Sequence, residues 1–311
     1  MTAVRAILFV PDVLFLLGVG PLLMSVIAKT KAWFGGRVGP PWLQPYFDLQ
    51  KLIQKNAIYS KTTTWIFRAG PIVSLAALLT AATLIPVLSN ESLLGFPGDV
   101  ILLAYLLALS RMFTVLAAMD TGSSFEGMGA SREVTFGALS EPALFLAFVV
   151  MAVATKSLQL SEMIGPKLLP EWQIAGPAMI LVVGALLAVL LTEACRVPVD
   201  DPATHLELTM IHEVMVLDHS GPELAYITYG AALKFTLLGF ILVHAAIPHP
   251  GGINVLGPLL RAVEIGGLAV LVGIIESVMA RFRLNRVPML LAGATVLSAI
   301  AVVLVLMRRA A

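Results

Sequence analysis

The sequence predicts an all-α integral membrane protein with eight transmembrane helices, organised as one polytopic domain over residues 1–311. Three observations lead there. The chain is 59% hydrophobic and only 13% charged, whereas a soluble domain carries about 25% charged residues. Apolar runs near the roughly 20 residues that a bilayer core requires recur along the whole chain. Finally, the polar residues gather in two long connections, about 29–68 and 196–223, instead of being spread evenly.

The first span is read at 7–28. Its apolar run is too long for a cleavable leader and lacks a small-residue cleavage site, so no signal peptide is expected. The connection that follows contains WFGGRVGPPWLQPYFDLQKLIQKNAIYSK (33–61). Gly35, Gly36, Gly39, Pro40, Pro41 and Pro45 give it a turning approach. In DLQKLIQK, apolar Leu49, Leu52 and Ile53 alternate with Lys51 and Lys55, the pattern of an interfacial amphipathic helix. Anchoring to lipid headgroups would account for that pattern. Forty residues is long for an anchor alone, however, and long loops with defined turn chemistry favour docking or a cavity wall.

Further spans are read at 69–89, 99–119, 134–155 and 176–195, then at 224–247, 258–280 and 288–307. Pro71, Pro177, Pro258 and Pro288 are placed in first turns, where a missing N–H costs nothing. Ala-Gly-Pro at both 69–71 and 175–177 reads as a shared helix start or as the trace of an internal repeat.

The second connection carries PVDDPATHLELTMIHEVMVLDHSG (198–221), which holds three of the five histidines and five of the nineteen acids. It reads as a helix at the membrane surface. Asp201 with Pro202, or Thr204 with Glu207, would cap its start, and Gly221 with Pro222 would end it. His205, His212 and His219 repeat every seven residues. On a helix that is about 10.5 Å of rise, too far for one zinc ion whose ligands sit at about 2.1 Å. Asp201 and His205 alone would make a weak pair of ligands, so no metal site is expected. A solvated helix and a polar surface lining a proton entrance both remain open.

Lys and Arg set the orientation. With eight spans, twelve fall on the side of the two long connections and five on the other. Both termini are therefore expected outside and the connections in the cytoplasm. Inside the spans lie Asp12, Arg111, Glu141, Glu193, Lys234, Arg261, Glu264 and Glu276. Each costs roughly 2.5–3.5 kcal/mol at a helix centre on the insertion scale, so each needs pairing, protonation or water. Arg261 and Glu264, at i and i+3, read as a structural pair. Glu141 precedes Pro142, which frees a backbone carbonyl one turn earlier and suits a hydrated ion site. Glu141, Glu193 and Lys234 are read as proton-handling groups. Arg111 is their counter-ion.

The composition also excludes. A net charge of +1 argues against nucleic acid as a partner. The single cysteine, Cys195, rules out an internal disulfide and a thiolate-held cluster. No phosphate loop or dinucleotide fingerprint occurs. The chain is expected to hold no redox cofactor of its own.

RVGPPWLQPYFDLQKL (37–52) resembles the first cytoplasmic loop of the complex I membrane subunit known as subunit 1 or H. DTGSSFEGMGASREVTFGALSEPALFLAF (120–148) and RVPVDDPATHLELTMIHEVMVLDHSG (196–221) are more similar to its hydrogenase branch: formate hydrogenlyase, hydrogenase-4 and related energy-converting NiFe hydrogenases. The resemblance implies a subunit joining a soluble redox arm to antiporter-like membrane subunits. It places the NiFe centre and iron–sulfur clusters in the hydrogenase-like large and small subunits and other iron–sulfur partners, on the cytoplasmic side of a bacterial or archaeal inner membrane. By position, it offers Glu141, Glu193, Asp200, Asp201, Glu207 and Glu213 for a proton route, beside Lys234 and Arg111. It offers Arg37, Gln44, Asp48, Lys51, His205, His212 and His219 for docking the arm. Complex I continues after Arg-x-Pro with Phe-Asp and a glutamate-dense run, where this chain has Val199, Asp200 and Asp201. That departure favours a hydrogenase-type partner over a quinone-lined subunit. A stand-alone secondary transporter is the reading from another class.

Overall fold

The computed structural model describes residues 3–87, 92–200, 210–249 and 257–310, and among them it is helical without strands. Seven helices are long and apolar enough to cross a membrane. They are α1 (Ala3–Phe34), α3 (Trp65–Ala82), α4 (Asp99–Asp120), α5 (Ser124–Thr155), α7 (Leu168–Glu193), α9 (Gly221–Ala246) and α11 (Val287–Ala310). Seven of the segments read as spans fall on these helices. The eighth, 258–280, falls on α10 (Gly257–Val278), which packs along α1. Among the described residues three short α-helices, α2 (Gln44–Ile53), α6 (Leu160–Met163) and α8 (His212–Met215), and a 3-10 turn at Leu284–Arg286 complete the fold.

Helix α9 is the centre of the bundle. In its most apolar window 72% is buried, against 50% or less in the other spans. It touches α1, α3, α7 and α10, while α3 pairs with α4 and α11 with both α5 and α7. The apolar periodicity therefore becomes a core around one helix, and that helix carries Lys234.

Prolines act differently from the expectation at two positions. Pro71 and Pro177 lie inside α3 and α7, not in their first turns. At the first, neighbouring Gly70 lets α3 and α4 touch, since a Cβ there would stand 2.7 Å from that of Ala117. At the second, α7 kinks, with Ala175 at φ −125° and ψ 32°, because a proline ring removes a hydrogen bond and crowds the preceding turn. Ala-Gly-Pro thus marks a helix start at neither place. Pro21 inside α1 has a visible consequence as well. Proline frees the carbonyl four residues back, and the Tyr229 hydroxyl donates to that Leu17 oxygen at 3.0 Å.

Residues 198–221 do not form the single helix expected. Residues 201–209, with Asp201, His205, Glu207 and their proposed caps, lie outside the described residues. From 210 to 220 only the single turn α8 is helical. Gly221 opens α9 at φ +57° instead of ending a helix, and a Cβ on it would stand 2.9 Å from the carbonyl oxygen of Asn56.

The physical reason is anchoring by side chains, Asp200 within the segment and Arg132 and Arg281 outside it. The buried Asp200 carboxylate accepts from Ile211 N at 3.0 Å and His212 N at 3.2 Å, and pairs with Arg281 at 2.8 Å. Arg132 donates to the Met210 carbonyl at 2.9 Å. These partners satisfy backbone groups that helical hydrogen bonds would otherwise take. Asp200→Ala should therefore loosen 210–216 and lower amide exchange protection there at least tenfold, since orphaning a buried charge partner typically costs about 3–5 kcal/mol. Unchanged protection would show that Asp200 is not the pin.

All the long connections meet on one face. The Thr64 amide and hydroxyl donate to Asp120 at 2.6 and 2.8 Å, Ile58 N donates to Ser220 Oγ at 3.1 Å, and Phe282 N donates to the Pro198 carbonyl at 2.9 Å. The opposite face is tied separately, by Trp172 donating to the Ala245 carbonyl at 2.9 Å and Leu160 N to Asp99 at 2.6 Å.

Candidate functional site

A group of ionisable side chains is buried beneath the face that carries the long connections. Arg111 of α4 is its hub. Its Nη1 lies 2.9 Å from Glu141 Oε1, its Nη2 contacts Glu193 Oε1, and its Nε lies 3.8 Å from Glu133 Oε1. Lys234 of α9 approaches Glu193 Oε2 to 2.7 Å, an ion pair outside hydrogen-bond angles. Ser140 donates to Glu193 Oε1 at 2.7 Å. Three carboxylates therefore share two cations, with side-chain exposure of 4% at Glu193, 12% at Glu133 and 41% at Glu141.

Helix geometry places them. Residues 133, 137 and 141 are one turn apart and lie on one stripe of α5. The middle one has to be small, because a Cβ on Gly137 would stand 2.0 Å from Arg111 Nη1. Glu193 is the last residue of α7. Lys234 lies about 20 Å along α9 from its first residue, near the middle of the helix, at 1.5 Å per residue.

A cavity of about 50 Å³ opens beside the cluster, lined by Ser74, Ser110, Glu133, Cys195, His212 and Lys234 among others. That volume suits a few waters. It is far below the roughly 300–1,000 Å³ of sites that enclose a drug-sized ligand. Burial pushes the Cys195 thiol well up, with the Glu133 carboxylate adding to the effect, so the thiol stays protonated. It can donate to Glu133 Oε2, 3.8 Å away. Burial likewise pushes His212 down, against the opposing pull of the Glu213 carboxylate, which leaves the imidazole neutral at pH 7.

On its other side the cluster is open. A groove of about 280 Å³ between α4 and α5 is lined by Arg111, Glu141, Ala138 and apolar neighbours. Pro142 follows Glu141, as the sequence suggested, and the residue whose carbonyl it releases is Ala138.

The structure brings Arg111, Glu141, Glu193 and Lys234 together. Asp200 stands apart as the anchor of the loop, and Glu213 follows His212 in α8. Among the residues expected to dock a partner, Arg37, Asp48 and Lys51 are exposed, and Gln44 donates to Asp48 at 2.8 Å. His212 lines the inner cavity instead of an outer surface. His219 is buried, stacked on Phe67 at 3.9 Å between ring centroids and 3.3 Å from Glu223. A second charge cluster went unanticipated: Glu276 joins Lys31 at 2.9 Å and Arg196 at 3.3 Å, tying α1 and α10 to the second connection. Arg261 and Glu264 pair at 3.1 Å, as their spacing suggests, and His249 joins them.

Glu133 and Cys195 were not anticipated as site residues. Starting the span at 134 left Glu133 outside it, whereas α5 starts at Ser124 after an N-cap at Ser123. Ser123-x-x-Glu126 has the sequence pattern of a capping box, which would have extended the helix to include it, although in the structure Ser123 forms no side-chain cap bond and Glu126 accepts from Asp218 N at 3.1 Å.

The sequence profile described as NADH dehydrogenase matches residues 6–307. The chain belongs to that family. Within it, the chain is similar to formate hydrogenlyase subunit 4 of Escherichia coli (strain K12), 32% identical over 88% of this chain and 90% of that protein. It is similar also to hydrogenase-4 component C of the same organism, 34% identical over 75% of this chain and 72% of that one. NADH-quinone oxidoreductase subunits H match at 24–25% identity. The fold is shared with a chain of the membrane-bound sulfane sulfur reductase, an archaeal respiratory membrane complex. There the TM-score is 0.82 at 21% identity, covering 97% of this chain and 98% of that one.

Proposed function

We propose that this chain is the membrane-anchoring and coupling subunit of a multisubunit oxidoreductase of the energy-converting hydrogenase or formate hydrogenlyase type. One observation carries the reading. Three carboxylates share two cations at the end of a water-sized cavity beneath the face that gathers the long connections. With one negative charge in excess, a proton can be held at modest cost. Glu133, the carboxylate farthest from Arg111, is the one to hold it, with the Cys195 thiol and cavity water beside it. Glu141 is its outlet.

In this reading α10 is the eighth span, both termini face outside, and the connections dock the soluble arm from the cytoplasm. Exposed Trp33, Val38, Trp42, Phe47 and Ile58 beside Arg37 and Lys51 give the first connection the mixed apolar and cationic surface of a docking site. Glu141, partly exposed beside the largely buried Arg111, is too polar to face lipid. It supports a neighbouring antiporter-like membrane subunit against α4 and α5, into which the route would continue. The arm's hydrogenase-like large and small subunits and iron–sulfur subunits would hold the NiFe centre and clusters. This chain's part is anchoring and proton handling. The small cavity and the sequence after Arg196 favour this over a quinone-lined subunit.

Orientation is tested by single cysteines near Lys55 and Lys167. The first should react with an impermeant reagent only from the cytoplasmic side and the second only from outside, and the reverse pattern would overturn the topology. Function is tested by extracting the chain in mild detergent and identifying what accompanies it by mass spectrometry. Hydrogenase-like and iron–sulfur subunits should come with it. A chain that runs alone would instead support a secondary transporter.

A further inference from the structure

The kink in α7 opens a groove on the surface of the bundle away from the ion cluster. It has a volume of about 330 Å³ and is lined by Ala175, Pro177 and Ala178 of α7 and by Leu304, Met307 and Arg308 of α11. Its floor is small and apolar, with Ala175 and Ala178 buried, while Leu304 and Met307 are exposed along its rim. The volume lies in the lower part of the roughly 300–1,000 Å³ range of small-molecule sites.

The single charged group in its lining is Arg308. Counting from Val287 at 1.5 Å per residue, Arg308 lies about 32 Å along α11. That is close to the roughly 30 Å thickness of a hydrocarbon core. With Val287 at one membrane surface, as in the topology proposed above, its guanidinium reaches the depth of lipid headgroups at the other, with the apolar lining running from it toward the bilayer interior. Among the described residues Arg308 makes no ion pair, whereas neighbouring Arg309 contacts the Ala154 carbonyl and lies 4.0 Å from Glu171. A free planar cation at headgroup depth, heading an apolar slot, matches one ligand class. It would fork its donors to phosphate oxygens.

We propose that the α7–α11 groove binds an acyl chain of an anionic phospholipid whose phosphate pairs with Arg308. The kink supplies the slot, since a straight α7 would close against α11. The charge supplies the preference for an anionic lipid over a zwitterionic one, in which the choline ammonium competes for the phosphate.

The test uses the whole complex in nanodiscs of phosphatidylcholine, with a photoactivatable acyl chain carried on either phosphatidylglycerol or phosphatidylcholine. Labelling should map to the peptide containing 304–308, and phosphatidylglycerol should label it roughly tenfold more strongly, the advantage of a charge-assisted interaction at the phosphate that no choline ammonium offsets. Arg308→Gln should reduce phosphatidylglycerol to the phosphatidylcholine level. Leu304→Trp, at an exposed position, should fill the slot and abolish labelling by both. Equal labelling by the two lipids in the unaltered chain would overturn the proposal. So would an unchanged preference in Arg308→Gln, or a Leu304→Trp complex that sheds a membrane subunit while still binding lipid.

Discussion

Arg111→Met is expected to deplete the assembled complex from the membrane. The guanidinium contacts Glu193, Glu141 and, at 3.8 Å, Glu133, so its removal leaves three carboxylates with Lys234 alone. Breaking a buried pair by deleting one partner typically costs about 3–5 kcal/mol. Here more than one carboxylate loses its partner, so the loss should reach the upper end of that range. Arg111→Lys should rescue only part of it, because a lysine is a point charge that cannot fork to carboxylates on two helices. The measurement is the amount of chain co-extracted with its partners, together with thermal resistance to aggregation in detergent. Wild-type yield and stability in Arg111→Met would show that the three acids are neutral or otherwise compensated.

Glu193→Gln should have a comparable structural effect, which separates Glu193 from the other two acids. Glu193 is the best connected of the three, engaging Arg111, Lys234 and Ser140. Glutamine keeps the shape but leaves two buried cations to the remaining carboxylates. Assembly should therefore fall, again by an amount in the range of about 3–5 kcal/mol for an orphaned buried charge. The double variant Arg111→Met with Glu193→Gln should cost clearly less than the sum of the single changes, since groups in one network couple. Additive losses would mean that the contact carries little energy. Glu133→Gln and Glu141→Gln should be milder. Glu133 lies 3.8 Å from Arg111, and Glu141 is 41% exposed and keeps an oxygen that can accept from Arg111.

Hydrophobic run length made the helices legible in the sequence, because bilayer thickness dictates length independently of packing. Charge inside a span was equally informative. Arg111, Glu141, Glu193 and Lys234 stood out because each is costly alone, and they lie together because that cost is lowest when they pair. What the sequence hid was decided at longer range. The 198–221 stretch has helical capping signals, but Asp200, Arg132 and Arg281 pin its part from Met210 in another form, and Arg132 and Arg281 lie at least sixty residues outside the stretch in sequence. Pro71 and Pro177 look alike locally. What separates them is what lies opposite, a close helix contact in one case and an opened groove in the other. His219 read as a surface group because Phe67, which stacks on it, is remote in sequence, and because reading Gly221 and Pro222 as a helix end separated it from Glu223 four residues on.

The central claim is that protons pass through the shared-charge cluster. Its most direct test is proton movement in sealed vesicles carrying the Glu133→Gln or Glu141→Gln complex, with arm activity assayed in parallel using an artificial electron acceptor. The account predicts that both variants assemble and keep that arm activity but lose proton translocation. Normal proton movement with the complex intact in both variants would contradict it.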